Sequence, residues 1–263
     1  MERRGFLRGI VTAGTAALAG CYSPGEVSSS SDVSIPTPSV SGLDKDWKIR
    51  DEQPTQEMTS VEVAGMDLSS WYARTTVWEY TPLKQRLRNR TLDQFSSAAF
   101  VFFATRIRVE GQGRQLPTRL LRPAVEDPVM NRMEQMGVSN VSKTSTIPGN
   151  IETQNGTAME MQFEGDYVKQ DIEFSLQIPE KGAETYSFSR VETSVRAVTG
   201  FWKAGGDFYL AGGAFPTEDI SKQKRVPITA GHRQGIDAII SINLRFDPSQ
   251  YKQQTQKLIG SVQ

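Results

Sequence analysis

The stretch RVETSVRAVTGFWKAGGDFYLAGGAFP, residues 190–216, decides the fold of this 263-residue chain. Both of its halves are rich in β-branched and aromatic residues, which favour strands, and Ala204-Gly205-Gly206 separates them. A short connection that contains glycine is typical of a turn between antiparallel strands, so the stretch predicts a β-hairpin. Gly212 and Gly213 predict a bulge or a close backbone approach in the second strand, which Pro216 ends.

Three stretches outside the hairpin also have strand character. Residues 68–81 are rich in aromatic and β-branched side chains, and residues 98–109 begin apolar on both parities, as in a strand covered on both faces. In residues 171–178 apolar and polar residues alternate strictly, which predicts one buried face and one solvated face. The apolar positions of that strand are Ile172, Phe174, Leu176 and Ile178.

Helix signals are fewer. Asp127-Pro128 is a start signal, with Asp as N-cap and Pro at the first helical position, and Gly137 is a stop signal, so residues 127–136 are predicted to form a helix. Its methionine-rich face is more typical of a core contact than of a promiscuous binding surface. Residues 249–259 predict a polar C-terminal helix whose few apolar anchors would let it fray.

Three other segments are ambiguous. Residues 84–90 place four basic side chains at alternate positions, which favours a solvated strand edge or loop over a contact with lipid headgroups. Residues 217–233 are polar and predict a loop. Residues 235–244 fit both a helical and a strand periodicity, and a helix is the interpretation that we favour.

Strands therefore dominate the chain between residues 58 and 263. Because hairpins place neighbouring strands antiparallel, the sequence predicts a single α+β domain: a mostly antiparallel, twisted β-sheet with a few helices packed on it.

The first 21 residues have the features of a targeting signal. A basic start, a low-charge stretch over residues 9–20 and small residues before Cys21 are typical of a signal peptide, which we assign to residues 1–20. As a helix, the low-charge stretch would span about 18 Å of a hydrocarbon core of about 30 Å, so it predicts no transmembrane anchor. Leu18-Ala19-Gly20-Cys21 resembles a lipobox, in which the cysteine carries the lipid. The run that resembles a twin-arginine export signal contains Arg3, Arg4, Phe6 and Leu7.

A Ser-, Pro- and Asp-rich segment, residues 21–57, follows the signal. It has few apolar residues, so burial would not offset the entropy of ordering it, and we predict a flexible, disordered tether. The predicted location is the cell membrane, with a covalent lipid on Cys21 and residues 58–263 facing the exterior as the globular domain.

Composition narrows the classes of partner. The chain has 30 basic and 30 acidic residues, and loss of the signal leaves 27 and 29, which gives no electrostatic case for binding nucleic acid. Cys21 is the only cysteine, so no disulfide is predicted. Three Asn-X-Ser/Thr triplets are candidate glycosylation sites, at Asn89, Asn140 and Asn155.

Few residues suggest catalysis. His232 is the only histidine, which excludes His- and Cys-type metal sites, and no Gly-X-Ser-X-Gly motif accompanies it. Asp166, Asp171 or Asp207 could serve a carboxylate Ca²⁺ site, but no EF-hand-like loop is present. We therefore assign no catalytic residue, no metal and no cofactor other than the lipid.

The plan resembles the lipoproteins of halophilic archaea that carry a domain of unknown function. The matching pieces are the Trp71-Tyr72 strand, the strand at residues 100–109, the Pro-flanked helix that ends at Gly137, and residues 206–216. The resemblance covers most of residues 59–220 and implies twin-arginine export, a lipid anchor and a compact α+β domain. It implies no catalytic residues.

Two functions from different classes are compatible with the sequence. The first is a membrane-anchored, non-catalytic binding or accessory module with a protein partner at the cell surface. The second is an extracytoplasmic hydrolase with a site based on carboxylates or on His232. The thin catalytic inventory favours the first. A solute-binding lipoprotein is disfavoured, because two α/β lobes would need strand–helix alternation.

Overall fold

In the computed structural model, the predicted hairpin lies inside the largest sheet. Strands β9 (Gly182–Ala204) and β10 (Asp207–Pro216) pair antiparallel from Asp207–Ala204 to Pro216–Val195. Their two-residue turn holds Gly205 and Gly206 at φ 58° and 88°, a left-handed conformation that matches the twist of a hairpin and suits glycine. The hairpin prediction is confirmed.

The structure describes residues 33–58, 61–63, 66–68, 71–91, 100–178, 182–230 and 233–263. They form the predicted single α+β domain with a mostly antiparallel sheet. The remaining strands are β1 (Trp47–Glu52), β2 (Gln56–Met58), β3 (Val61–Val63), β4 (Met66–Leu68), β5 (Trp71–Tyr80), β6 (Val101–Val109), β7 (Val138–Thr153), β8 (Gly156–Ile178), β11 (Ile220–Ala230) and β12 (Arg233–Leu244).

The largest sheet has eight strands. Seven of them follow the order β1-β5-β6-β10-β9-β8-β7, and β2 also pairs with β5. Two separate two-stranded ribbons, β3–β4 and β11–β12, complete the described strands. Because the main sheet is covered on both faces along β6, β10 and the second half of β9, these segments carry near-continuous buried residues, as the apolar start of β6 predicted.

Four α-helices lie against the sheet in the described part of the chain: α1 (Thr81–Thr91), α2 (Thr118–Leu121), α3 (Pro123–Gln135) and α4 (Pro248–Gly260). None of these described helices is long and apolar enough to cross a membrane. Helix α4 begins with Asp247, whose carboxylate accepts the Gln250 backbone N–H, and it packs on β9 and β10.

Helix α4 corrects the expectation of a fraying C-terminal helix. Its buried side chains repeat at helical spacing and anchor it in the core. A Cβ on Gly200 would lie 2.6 Å from Ile259, and one on Gly213 would lie 2.9 Å from the Thr255 hydroxyl. Glycines in β9 and β10 thus make room for α4, so close approach is the right reading of Gly213. The anchors are Tyr251, Thr255, Leu258 and Ile259.

Helices α1 and α3 correct two sequence-based expectations. The predicted strand edge or loop at residues 84–90 is part of α1, because Leu83, Leu87 and Thr91 form a buried stripe at i, i+4 and i+8. Helix α3 begins at Pro123, about one turn before the predicted start, since that proline suits the first helical position. It ends as predicted, before Gly137 at φ 87°.

The ribbon of β11 and β12 corrects two further sequence-based expectations. Residues 217–233 were expected to form a loop and residues 235–244 a helix, yet they pair from Ile220–Leu244 to Ala230–Arg233. Only a few apolar side chains of each strand are buried, so neither segment shows its period clearly on its own.

The predicted tether also extends too far. Residues 33–42, which we call the strap, cross the sheet and carry the fully buried Ile35. Val40 bridges to Val262, and strand β1 then begins at the buried Trp47. The segment is poor in apolar residues, but Ile35 and Trp47 are buried, so the domain begins by residue 33 and not at residue 58.

The main sheet has two ends that matter for function. At the proximal end, β5 begins at Trp71 opposite Val109, and the Ser34 carbonyl of the strap accepts a hydrogen bond from Arg108 at 3.2 Å. At the distal end, β5 finishes at Tyr80 and the chain continues into α1. The strap therefore enters the domain at the end opposite to α1.

Candidate functional site

A groove lies at the distal end, between α1 and the edge of the sheet. Its volume is 730 Å³. Strand pairing places Lys48 of β1 beside Glu79 of β5, and α1 supplies the opposite wall. The lining residues are Lys48, Glu79, Thr81, Lys84, Gln85, Arg88 and Asn89. We call this the distal groove.

The distal groove is cationic. It has three basic side chains and a single carboxylate, Glu79, which accepts hydrogen bonds from Lys84 at 2.7 and 2.8 Å. Helix α1 contributes four basic residues and no acidic one. The groove is open to water, so an anionic ligand can reach its lining.

A second polar cluster lies at the proximal end, around Asp207. The carboxylate accepts a hydrogen bond from Arg106 Nε at 2.7 Å and two from Arg108, through Nε and Nη2, at 3.1 Å each. Burial alone would raise the pKa of Asp207, but the hydrogen bonds and positive charges of Arg108 and Arg106 outweigh it and hold the pKa below its usual value. The hydrogen bond to Asp207 likewise raises the pKa of Arg108.

This proximal cluster is closed. The Arg106 guanidinium also lies over the Tyr209 ring, 5.5 Å from its centroid, and Arg108 donates to the strap. A carboxylate that stays ionised and is saturated by arginines is a poor proton donor or metal ligand. The candidate Ca²⁺ ligand Asp207 therefore has a structural role.

A third cluster surrounds Glu160, which is completely buried in β8 beneath α4. Its carboxylate accepts amide hydrogen bonds from Asn150 at 2.6 Å, from Gln256 at 2.8 Å and from Gln162. Lys252 of α4 lies 3.9 Å away. These contacts join β7, β8 and α4 through one carboxylate, so the network fastens the helix to the sheet.

The other predicted sites are not brought together. Asp166 accepts a hydrogen bond from Asn140, and Asp171 is exposed at φ 49° on the same strand, away from Asp207. Within the described ranges, no group of three or more His, Cys, Asp or Glu side chains has the spacing of a metal site. Arg3, Arg4, Phe6, Leu7, Cys21 and His232 lie outside the described residues.

The three glycosylation triplets have different structural settings. Asn89 is exposed on α1, but Thr91 of its triplet is buried and donates to the Leu87 carbonyl. Asn140, at φ 55°, donates through its amide to Asp166. Asn155 is exposed in the turn between β7 and β8.

Sequence reasoning missed Glu160 and the distal groove. An acidic residue in an alternating strand looks like a solvated position, and only the amides of β7 and α4 reveal that Glu160 is buried. The basic residues of the groove were visible as a charge pattern, although their helix was not.

The fold and the clusters define an antiparallel-sheet α+β domain with two closed polar networks and one open cationic groove. The chain belongs to the family described as Domain of unknown function (DUF6517), whose model matches residues 35–263. This match begins at the buried Ile35 of the strap. No curated protein and no solved structure matches the chain.

Proposed function

We propose that this protein is a membrane-anchored, extracytoplasmic binding or accessory module rather than an enzyme. It would be exported by a twin-arginine signal, lipidated on Cys21 and held with its domain facing the exterior. The proposed contacts are the membrane, through the lipid, and a binding partner at the cell surface. The resemblance to lipoproteins of halophilic archaea supports this proposal.

One observation carries the proposal: the domain begins close to the predicted lipid, and its open groove lies at the far end. Cys21 and Val33 are 12 residues apart, which corresponds to at most about 43 Å of fully extended chain. The strap enters at the proximal end, so an anchor at Cys21 would be joined to the domain at that end, opposite to the distal groove.

The same geometry separates α1 from the point where the strap enters. Eight residues of β5 separate Tyr72, which pairs with Arg108, from Tyr80, which precedes α1. At about 3.3–3.4 Å per residue, these eight residues place α1 about 27 Å beyond the point where the strap enters.

A hydrolase with a carboxylate-based site is the alternative, and the clusters favour it less. Its acid or base would need a carboxyl group that exchanges protons near neutral pH in an accessible cleft. Asp207 has a lowered pKa and two arginine partners, and Glu160 is sealed under α4. His232 lies outside the described residues, so the part of this alternative that depends on it rests on the sequence alone.

Cell fractionation tests the anchor. The full chain would be expressed in a prokaryotic host with a twin-arginine pathway, and its lipidation followed by mass spectrometry of the N-terminal peptide. We expect the wild type in the membrane fraction and accessible to protease added outside. Replacing Arg3 and Arg4 by Lys should keep the protein inside, and Cys21→Ser should abolish lipidation and release it from the membrane.

The matched control is Arg8→Lys, which changes a third arginine of the same segment outside the pair. It should behave as the wild type. Membrane attachment that survives Cys21→Ser, or export that survives the loss of the arginine pair, would contradict the proposal.

A further inference from the structure

We infer that the distal groove is a binding site for an anionic polysaccharide, one that carries carboxylate or sulfate groups. The inference deepens the proposed function, because it assigns a ligand class to the outward-facing end of the module. It rests on the charge, the lining and the position of the groove.

The lining of the groove has three basic side chains and one acidic one, in a chain with 30 basic and 30 acidic residues. Helix α1 has four cations and no acid. It packs beside β12, whose partner β11 carries three cations, of which Arg225 pairs with Asp237 of β12 at 3.6 Å. A cationic surface that includes a groove raises the local concentration of anionic polymers and speeds their association.

The single acid of the groove orients the cations. Glu79 is bonded to Lys84 and lies across the strand pair from Lys48, so it holds one lysine and faces a second. Within the described part of the chain, Lys48 makes no ion pair of its own. The groove therefore keeps a net positive charge even with Glu79 ionised.

The lining favours a sugar polymer over a protein. Gln85 and Asn89 offer amide groups to a polyhydroxylated ligand, and the Thr81 hydroxyl, which donates to the Asp46 carbonyl at 2.7 Å, can still accept a hydrogen bond. None of the described lining residues is aromatic or aliphatic, whereas a stable protein interface needs a desolvated apolar centre. An extended polyanion needs no such centre, because its charges meet lysine and arginine side chains along an open groove.

Binding can be measured with the full chain in detergent micelles, by biolayer interferometry on immobilised polymers. The probes are polygalacturonate for carboxylate groups and dextran sulfate for sulfate groups, with neutral dextran as the uncharged control. We expect binding to one or both polyanions, none to neutral dextran, and weaker binding as salt rises because exposed charges are screened. The polyanion that binds more tightly identifies whether the ligand carries carboxylate or sulfate groups.

A pair of double variants tests the position of the site. Lys48→Gln with Arg88→Gln should weaken polyanion binding about 25-fold, at roughly a factor of five for each cation removed. Lys169→Gln with Arg190→Gln removes the same charge from the β8–β9 hairpin and should change binding less than about twofold. Circular dichroism would verify that both variants are folded.

Several results would overturn the inference: no binding to either polyanion, equal losses in the two double variants, or equal binding to neutral dextran. Tighter binding to polyglutamate or to duplex DNA would replace it with an acidic protein or a nucleic acid as partner. Because the assay uses purified protein, its result is independent of the fractionation. If the groove binds a polyanion but the protein is not anchored to the membrane, only the proposed location is refuted. If the protein is anchored but binds no polyanion, only the proposed ligand is refuted.

Discussion

Three carboxylates of the main sheet have different environments. Asp207 lies at the proximal end, Glu160 in the centre and Glu79 at the distal end. The side chain of Asp207 is 3 % exposed and that of Glu160 is fully buried, whereas the side chain of Glu79 is 16 % exposed on the wall of an open groove. The two buried carboxylates, Asp207 and Glu160, each accept several hydrogen bonds and are not accessible to a ligand. Glu79 accepts one lysine and leaves further cations beside it.

The donors differ in the same way. Arginines hold Asp207 and amides hold Glu160, and both kinds of group have fixed planar geometry. The distal groove uses Lys84, a point charge on a flexible stem, for Glu79. Rigid donors suit a structural contact, whereas a flexible ammonium can exchange its partner for a ligand. The difference separates the polar groups that stabilise this fold from those that are available for binding.

The largest effect is expected at Asp207. Asp207→Ala leaves two partly buried guanidinium groups without their acceptor, and breaking such a buried pair costs about 3–5 kcal/mol of unfolding free energy. Denaturant unfolding measures it. The control is Glu164→Ala, which breaks the exposed Glu164–Arg196 pair of the same sheet and should cost about 0–1 kcal/mol. Equal losses of unfolding free energy in Asp207→Ala and Glu164→Ala would contradict the distinction between closed and open clusters.

A smaller loss is expected at Glu160. Glu160→Gln keeps the shape but turns an amide donor toward the donors of Asn150 or Gln256, and a buried unsatisfied group costs about 1–3 kcal/mol. Hydrogen exchange of α4 should rise with the loss of global stability. Lys252→Ala should change stability little, because its ammonium lies 3.9 Å from the carboxylate. Unchanged stability of the Glu160→Gln variant would show that the network does not fasten α4.

Acid should remove the Asp207 contribution by protonation. Since the pKa of Asp207 is lowered in the folded protein, the unfolded chain takes up this proton at the higher pH. The stabilisation is therefore complete above about pH 4, the ordinary range of Asp, and is lost as the pH falls through the folded-state pKa. The stability difference between wild type and Asp207→Asn should be constant from pH 7 to 5 and shrink below pH 4. A difference that grows in acid would contradict the sign.

The smallest stability effect is expected in the groove. Glu79→Gln breaks only a partly exposed pair with Lys84 and should cost about 0–1 kcal/mol. It also removes the single carboxylate of the groove, so polyanion binding should strengthen severalfold. Thermal unfolding and interferometry on the same preparation give both values. A large destabilisation would place Glu79 with the closed clusters, and weaker binding would mean that it contacts the ligand.

Part of the sheet could be predicted from the sequence, because β6, β10, residues 171–178 of β8 and residues 190–203 of β9 carry apolar, β-branched or alternating patterns, whereas β7 and the first part of β8 were not predicted. The failures share one physical cause. In β12, Ile236, Ile239 and Ile240 satisfy a helical spacing, and only pairing with β11 decides for a strand. Likewise Ile35 has no periodic neighbour, so its burial depends on a surface built from distant parts of the chain.

The sites were less predictable than the fold. Asp207 was a candidate metal ligand from its type alone, and the neighbouring strand supplies the arginines that exclude this role. The cations of α1 were visible in the sequence, but their alternate spacing suggested a strand edge. The buried Leu83–Leu87 stripe shows that the segment is a helix. The missing information was the cross-strand partners in the first case and the burial of individual side chains in the second.

The strap has a consequence for the order of folding. It is hydrogen-bonded to the last residues of the chain, Ser39 with Gln263 and Ser41 with Ser261, across more than 200 residues of sequence. Contacts of such long range form late, since the loop between them must close first. The strap, although it precedes every strand of the domain in the sequence, can therefore dock only after residues 258–263 have left the ribosome.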